Sequence, residues 1–321
     1  MIPLAQIVYE YADPHAVIGF VPGNGGFEFA FRDCIERGNV LFGIDRVPAI
    51  ARLKERGRTV CCSGYKDRLY VAALPSSHTE ECAALIESIY DIPCVRLPGF
   101  MALTLTPSNP ILHTARLMTI FSDYEPGVTY ESLPLFYEEW DDASSELLLA
   151  CDDEIQDICR ALPWFGLEYV VSEREFYNAD TVEEMTYAIR TATPSVCSDA
   201  LDIKGRGLSG LRKRRKQRWQ RIEQHIKRRS DWREILEERR NRRREENTEG
   251  LIPDLHSRYF TADFPYGLSV IQQIGKIAGV AMPNIDKLIE WYDNIAIIND
   301  KLRLSDYGIT DVESLKEFYL T

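Results

Sequence analysis

Thr106-Pro107-Ser108-Asn109-Pro110-Ile111-Leu112-His113-Thr114-Ala115-Arg116 divides the chain. Before it, short apolar runs alternate with helical patterns. After it, helical patterns follow one another with little strand-like alternation. Ser108 or Asn109 suits a helix N-cap, and Pro110 suits the first turn, where its missing N–H costs nothing. The helix then carries Asn109 and His113 four residues apart, on one face. A neutral amide beside an imidazole can hold a polar substrate and move a proton. A capped core helix with an incidental histidine would use the same residues, so local spacing leaves both readings open.

Upstream, Ala16-Val17-Ile18-Gly19-Phe20-Val21 is a near-continuous apolar run that ends in Pro22-Gly23-Asn24-Gly25-Gly26. It predicts a strand buried on both faces and delivered into a glycine loop. Phe27–Arg37 reads as a helix stopped by Gly38, and Ser77–Ile89 as another, with Ser77, Thr79, Glu80 and Glu81 suited to its N-terminus. Further strands are expected at Asn39–Ile44, Thr59–Ser63, Leu69–Leu74 and Cys94–Leu97, whereas Met1–Ala12 offers only Ile7-Val8-Tyr9 as a strand-like core. Strands alternating with helices argue for an α/β sheet domain. Bare backbone N–H groups at a helix start can cradle an anion, which makes Gly23, Asn24 and Gly25 candidate cofactor contacts. A tight strand-to-helix turn would use the same glycines. The loop is not a G-x-G-x-x-G dinucleotide fingerprint, and the first hundred residues hold none.

Downstream, helices are expected at Pro110–Phe121, Leu133–Leu162, Thr181–Thr191, Gly267–Ile277 and Pro283–Ile298. The longest has Leu147, Leu148, Leu149, Ile155 and Ile158 as its core stripe. Its Asp152-Asp153-Glu154 are consecutive and so point in different directions, which predicts a solvated surface and no metal site. A second dense cluster is Leu255-His256-Ser257-Arg258-Tyr259-Phe260-Thr261-Ala262-Asp263-Phe264-Pro265-Tyr266-Gly267-Leu268. Arg258 and Asp263 are expected in a connection ahead of a Pro-Tyr-Gly helix start, where functional polar groups concentrate. A purely structural Arg–Asp pair is equally compatible with the spacing.

The formal net charge of −12 conceals an asymmetry: residues 205–249 hold 17 Lys/Arg and 8 Asp/Glu, and the remainder holds 21 and 42. The acidic body would repel nucleic acid. The basic segment has interleaved Trp219 and Trp232, but its glutamates supply helical ion pairs and local neutralisation. It reads as a charged helical insertion, not as a nucleic-acid site. With 321 residues the chain is long enough for two domains. No run of eighteen apolar residues occurs, and no basic-then-apolar leader opens the chain. Eight cysteines form no C-x-x-C pair and read as buried thiols of a reducing compartment. A cytoplasmic protein without membrane attachment is the expectation.

Taken together, Asn109-Pro110-x-x-His113 and Arg258-Tyr259-x-x-x-Asp263-x-Pro265-Tyr266-Gly267-Leu268 resemble the octopine/nopaline (opine) dehydrogenase family. Gly19-Phe20-Val21-Pro22-Gly23-Asn24-Gly25-Gly26-Phe27 and Pro283-x-Ile285-Asp286 support the likeness. The resemblance implies α/β then all-α: a partial Rossmann-like sheet domain over 1–105, then a helical substrate and catalytic domain over 106–321, interrupted by the insertion at 205–249. It implies NAD(P)H-dependent reduction of the imine formed between an amino acid and a 2-oxo acid. His113 would be the proton donor and acceptor, Asp263 its orienting carboxylate, Arg258 the grip on a substrate carboxylate, and Asn109 a substrate hydrogen bond.

The likeness enters that family's nucleotide domain partway through, so about three strands and the pyrophosphate loop are expected to be missing and NAD or NADP to bind weakly or not at all. The partners implied are the two small-molecule substrates, with a homodimer as the assembly to test. Alternatives are another two-domain NAD(P) oxidoreductase acting on a 2-hydroxy or 2-oxo acid, and a non-catalytic interaction protein that uses the basic helix.

Overall fold

A computed structural model describes residues 2–55, 58–162, 166–192, 250–296 and 301–320. The chain starts with helix α1 (Ile2–Tyr11), where a strand-like core was expected. Only Ala5 of it is buried, so Ile7, Val8 and Tyr9 belong to a largely exposed helix. Strand β1 (Val17–Phe20) enters the glycine loop as anticipated, but it lies at the edge of its sheet and exposes Val17. An apolar run therefore need not be covered on both faces. The helix expected over Phe27–Arg37 is two short pieces, α2 (Phe27–Ala30) and α3 (Arg32–Arg37), broken at Phe31 and closed by Gly38 in the left-handed region.

Strand β2 (Val40–Ile44) pairs with β1 in parallel. Next comes a hairpin that the sequence reading half missed: β3 (Ala49–Glu55), which was not expected, pairs antiparallel with β4 (Thr59–Tyr65) as a separate two-stranded sheet. Strand β5 (Leu69–Leu74), helix α4 (Thr79–Tyr90) and strand β6 (Cys94–Arg96) follow. The main sheet has the order β1-β2-β5-β6, with β2 and β5 antiparallel and both outer pairs parallel. The period-2 side chains Leu69, Val71 and Ala73 face Cys82, Ala83 and Ile86 of α4 together with Phe42 and Ile44. Fully burying each of the larger aliphatic chains contributes about 1.5–3 kcal/mol, so this layer fixes where the strand ends point.

From Phe100 onward the chain is helical: α5 (Met101–Thr104), α6 (Asn109–Ile120), α7 (Asp142–Ala161), α8 (Glu173–Tyr177) and α9 (Val182–Ala192). After residue 250 come a π-helix (Tyr259–Leu268), α10 (Ser269–Ile277), α11 (Pro283–Ile295) and α12 (Val312–Leu320). These elements and the sheet belong to one compact unit, Met1–Val128, Pro134–Thr193 and Pro253–Thr321. Thr129–Leu133 and Pro194–Ile252 cluster apart, and their described residues form one antiparallel bridge between Tyr130 and Leu251. The charged insertion expected at 205–249 lies outside the described residues, as do Cys197 and the end of the helix expected to reach Ile298.

Three expectations are corrected here. The Leu133–Leu162 helix begins only at Asp142, capped by the Asp141 carboxylate on the Ser144 N–H, and residues 134–141 are irregular. Asp152 and Glu154 are not solvated. Both are buried, because each caps a neighbour: Asp152 accepts from the Glu173 N–H at 2.9 Å, and Glu154 accepts from the Asn284 and Ile285 N–H groups at 2.7 and 3.0 Å. A carboxylate at the orphan N–H groups of a helix start is worth burying. Lastly, Arg258 and Asp263 do not lie in a loop: Arg258 occupies the N-cap position of the π-helix, without a side-chain capping bond, and Asp263 lies within it.

Among the described residues six cysteines are free, and no helix is long and apolar enough to cross a membrane.

Candidate active site

Helix α6 starts with Ser108 at the cap position, although its side chain makes no capping bond, and Pro110 sits in the first turn. Asn109 is half-buried at its mouth and His113 is buried one turn further on. The turn before the helix is held from the sheet. Arg46, just beyond β2, donates to the Pro107 carbonyl at 2.7 Å and to Glu173 of α8 at 3.3 Å, with its guanidinium 3.4 Å from the centre of the Phe176 ring. Burial pushes the Glu173 carboxyl up to about 7 against the opposing pull of Arg46.

The π-helix supplies the partner of His113. Pro265 has no N–H, so an i→i+5 ladder leaves the Phe260 carbonyl without its donor, and Tyr292 of α11 fills the gap by donating its hydroxyl at 3.0 Å. Gly267 lets this helix close on α6: a Cβ there would stand 2.8 Å from Cγ of Pro110. The approach places Asp263 Oδ2 2.8 Å from His113 Nδ1. A carboxylate only accepts, so Nδ1 carries the proton and Nε2 is left as the reactive nitrogen. Nε2 in turn meets the Tyr137 hydroxyl at 2.9 Å.

Rings close over the imidazole. Tyr259 packs edge-on at 4.6 Å between centroids and Phe136 at 5.7 Å, and the two stack on each other at 5.4 Å. Arg258 is exposed, with its guanidinium 5.2 Å from the Tyr259 ring centre. The structure thus joins His113 to Asp263 directly, brings Arg258 next to the aromatic wall of the same site, and sets Asn109 one turn from His113. Arg258 and Asp263 form no mutual ion pair among the described residues, since Asp263 is engaged by His113.

Two residues of this site were not singled out from the sequence. Tyr137 lay in a segment read as helix, so nothing in the pattern pointed its side chain at His113. Arg116, within the opening stretch itself, is fully buried and grips the irregular segment, donating to the carbonyls of Leu135, Phe136 and Glu139 and to the Asp141 carboxylate. Its place one helical turn beyond His113 was the available signal.

The glycine loop at the end of β1 has two distinct parts. Gly23 is structural: its N–H donates to the Ile44 carbonyl at 2.7 Å, and a Cβ would stand 2.7 Å from Cα of Gly43. Gly25 has φ 96° with nothing within 4 Å of a Cβ position, and the Asn24 amide nitrogen is buried without a hydrogen-bond partner among the described residues. An orphaned buried donor beside bare backbone, at the carboxyl end of a parallel strand, fits one end of a dinucleotide. The spacing G-x-G-x-x-G does occur once in the chain, at Gly205-Arg206-Gly207-Leu208-Ser209-Gly210, where no apolar strand-like run precedes it. It lies in the segment outside the described residues. No three His, Cys, Asp or Glu among the described residues are grouped to hold a metal ion.

A partial α/β sheet followed by helices, with a His–carboxylate pair on the helical side, defines a two-part dehydrogenase-like fold. Residues 96–296 match the family described as NAD/NADP octopine/nopaline dehydrogenase, alpha-helical domain, and the chain belongs to that family. Octopine dehydrogenase of Pecten maximus is 25% identical over 301 residues, covering 89% of this chain and 65% of that protein. Tauropine dehydrogenase of Arabella iricolor is 24% identical over 288 residues, covering 86% of this chain and 63% of that protein. The chain thus spans about 65% of the length of the octopine dehydrogenase it matches. A solved octopine dehydrogenase with NADH and pyruvate shares the fold at a TM-score of 0.65 and 21% identity, over 98% of this chain and 74% of that one.

Proposed function

We propose that this chain carries the substrate-handling and proton-transfer part of an opine dehydrogenase, an NAD(P)H-dependent oxidoreductase that condenses an amino acid with a 2-oxo acid and reduces the resulting imine. The observation that carries this reading is the pair His113–Asp263 at 2.8 Å, built by a π-helix closing on α6 and enclosed by aromatic rings. The carboxylate fixes the tautomer and stabilises the imidazolium that forms when His113 takes a proton. Arg258, exposed beside Tyr259, offers a planar fork for a substrate carboxylate. Asn109 offers an amide to the same substrate from the mouth of α6.

Gly23, Asn24 and Gly25 would hold one end of NAD or NADP, with the Asn24 amide donating to it and Gly23 keeping the loop against β2. The dinucleotide, when bound, supplies the hydride. A division near residue 105 between a nucleotide-binding part and a substrate part accords with the last main-sheet strand ending at Arg96 and α6 starting at Asn109. The free thiols are compatible with a cytoplasmic setting.

The reading is tested by following NADH and NADPH oxidation with pyruvate, alone and with each of the twenty amino acids, alongside calorimetric titration of both dinucleotides. Oxidation that requires an amino acid supports it. Oxidation with pyruvate alone, unchanged by any amino acid, would transfer the chain to simple 2-oxo-acid reduction.

A further inference from the structure

The His113 imidazole has no open side. It is 1% exposed, with Asp263 on Nδ1, Tyr137 on Nε2, and Tyr259 and Phe136 against the ring. A proton donor needs a route to what it protonates. Asp263 is committed to orienting the ring, so the hydrogen-bonded route out of the imidazole is the hydroxyl of Tyr137, a half-buried residue.

The backbone that carries Tyr137 is tied to the helix that carries His113. Arg116 of α6 donates to the carbonyls of Leu135, Phe136 and Glu139 at 3.2, 3.0 and 2.5 Å, and to Asp141 at 2.8 Å. Glu139 closes the same turn by accepting from the Leu135 N–H. Phenol and imidazole are therefore held by one framework, which is what repeated proton passage between them needs.

We infer that Tyr137 is a further catalytic residue, whose hydroxyl carries the proton between His113 Nε2 and the substrate. This rests on the dehydrogenase reading above. In the reductive direction the Tyr137 O–H bond breaks as an N–H bond forms at the imine nitrogen, and the proton on His113 Nε2 passes to the phenol oxygen. Tyr137 ends as it began, and His113 ends neutral with Nδ1–H on Asp263. The imine carbon is reduced by the hydride that NAD(P)H supplies, leaving NAD(P)⁺, so one proton and one hydride are consumed per turnover.

The test uses the full chain and Tyr137→Phe, which removes only the hydroxyl, with two readouts. The first is the rate at which the Nε2 proton of ¹⁵N-labelled His113, with the ring in its imidazolium form, exchanges with water, measured by NMR without substrate. Proton passage through Tyr137 predicts exchange slowed about tenfold or more in the variant, because the covering rings stay while the relay is lost. Faster exchange would mean that the hydroxyl merely plugs the site, and unchanged exchange that the proton leaves elsewhere; either overturns the inference. The second is turnover of NADH or NADPH with pyruvate and whichever amino acid supports it. Here kcat should fall about 100-fold or more with KM changed less than about threefold. An intact kcat overturns the inference. A wild-type chain that turns over no substrate would sink the dehydrogenase reading, and the exchange measurement would still decide the role of Tyr137.

Discussion

Glu28 offers a prediction that can be worked through from its surroundings. It follows the glycine loop, in α2, and is completely buried. Tyr319 of the C-terminal helix donates its hydroxyl to Oε1 at 2.7 Å, and Thr104 of α5 donates to the same oxygen. The other oxygen has no partner among the described residues, and the side chain forms no ion pair there. Burial therefore pushes the carboxyl from 4.5 up to about 6, against the two hydroxyl donors.

A folded-state value above the unfolded one means the native state binds the proton more tightly. Stability is greatest below the unfolded value and falls as pH rises through 4.5 to 6. The full loss is about 2 kcal/mol at about 1.36 kcal/mol per unit, of which about 1.2 kcal/mol falls between pH 5 and pH 8. Glu28→Gln cannot ionise. Whatever its absolute stability, its unfolding free energy relative to wild type should rise by about 1.2 kcal/mol from pH 5 to pH 8. Urea unfolding followed by tryptophan fluorescence at both pH values measures this difference, and the other carboxyls raised by burial, Asp45, Asp152 and Glu173, cancel because both proteins carry them. Parallel pH profiles for the two proteins would refute the reasoning. Tyr319→Phe, which removes a donor to the charged form, should steepen the wild-type profile.

Asp263→Asn should lower kcat about 100-fold or more in the NAD(P)H assay, while dinucleotide affinity by calorimetry stays close to wild type. Arg116→Met removes the guanidinium donor from the carbonyls of Leu135, Phe136 and Glu139 and from the Asp141 carboxylate, and should cost about 3–5 kcal/mol in denaturant unfolding; a cost below about 1 kcal/mol would contradict the framework assigned to it. Glu154→Ala uncaps α11 and should destabilise by about 1–2 kcal/mol, whereas Asp153→Ala, at an exposed neighbour, should change stability by less than about 0.5 kcal/mol.

Much of the site could be read along the chain because its parts are local. Asn109, Pro110 and His113 occupy one helical turn, and Arg258 and Asp263 lie five residues apart, so each cluster stood out by spacing, and their joint occurrence carried the family resemblance. Tyr137 did not stand out. It lies in an irregular segment whose charged and aromatic residues mimic a helical start, and its role depends on Arg116, which reads as an ordinary polar position until its burial is seen. The same holds for Asp152 and Glu154: adjacent carboxylates suggest solvent, and only the arrival of α8 and α11 at α7 makes them caps.

By itself the amino-acid sequence determined most of the strand-and-helix alternation through Arg96, the helical character that follows, and His113 and Asp263 as candidate proton-handling groups, but not Tyr137. These follow from nearest-neighbour periodicity and side-chain chemistry. Tertiary structure alone decided which nitrogen of His113 is held and what meets the other. That choice depends on a π-helix bringing Asp263 across 150 residues of chain onto α6. It depends equally on a buried arginine pulling an irregular turn, and Tyr137 with it, against the imidazole. Contacts between segments so distant in the chain leave no period in the sequence, because each segment satisfies its own local pattern whether or not the other arrives.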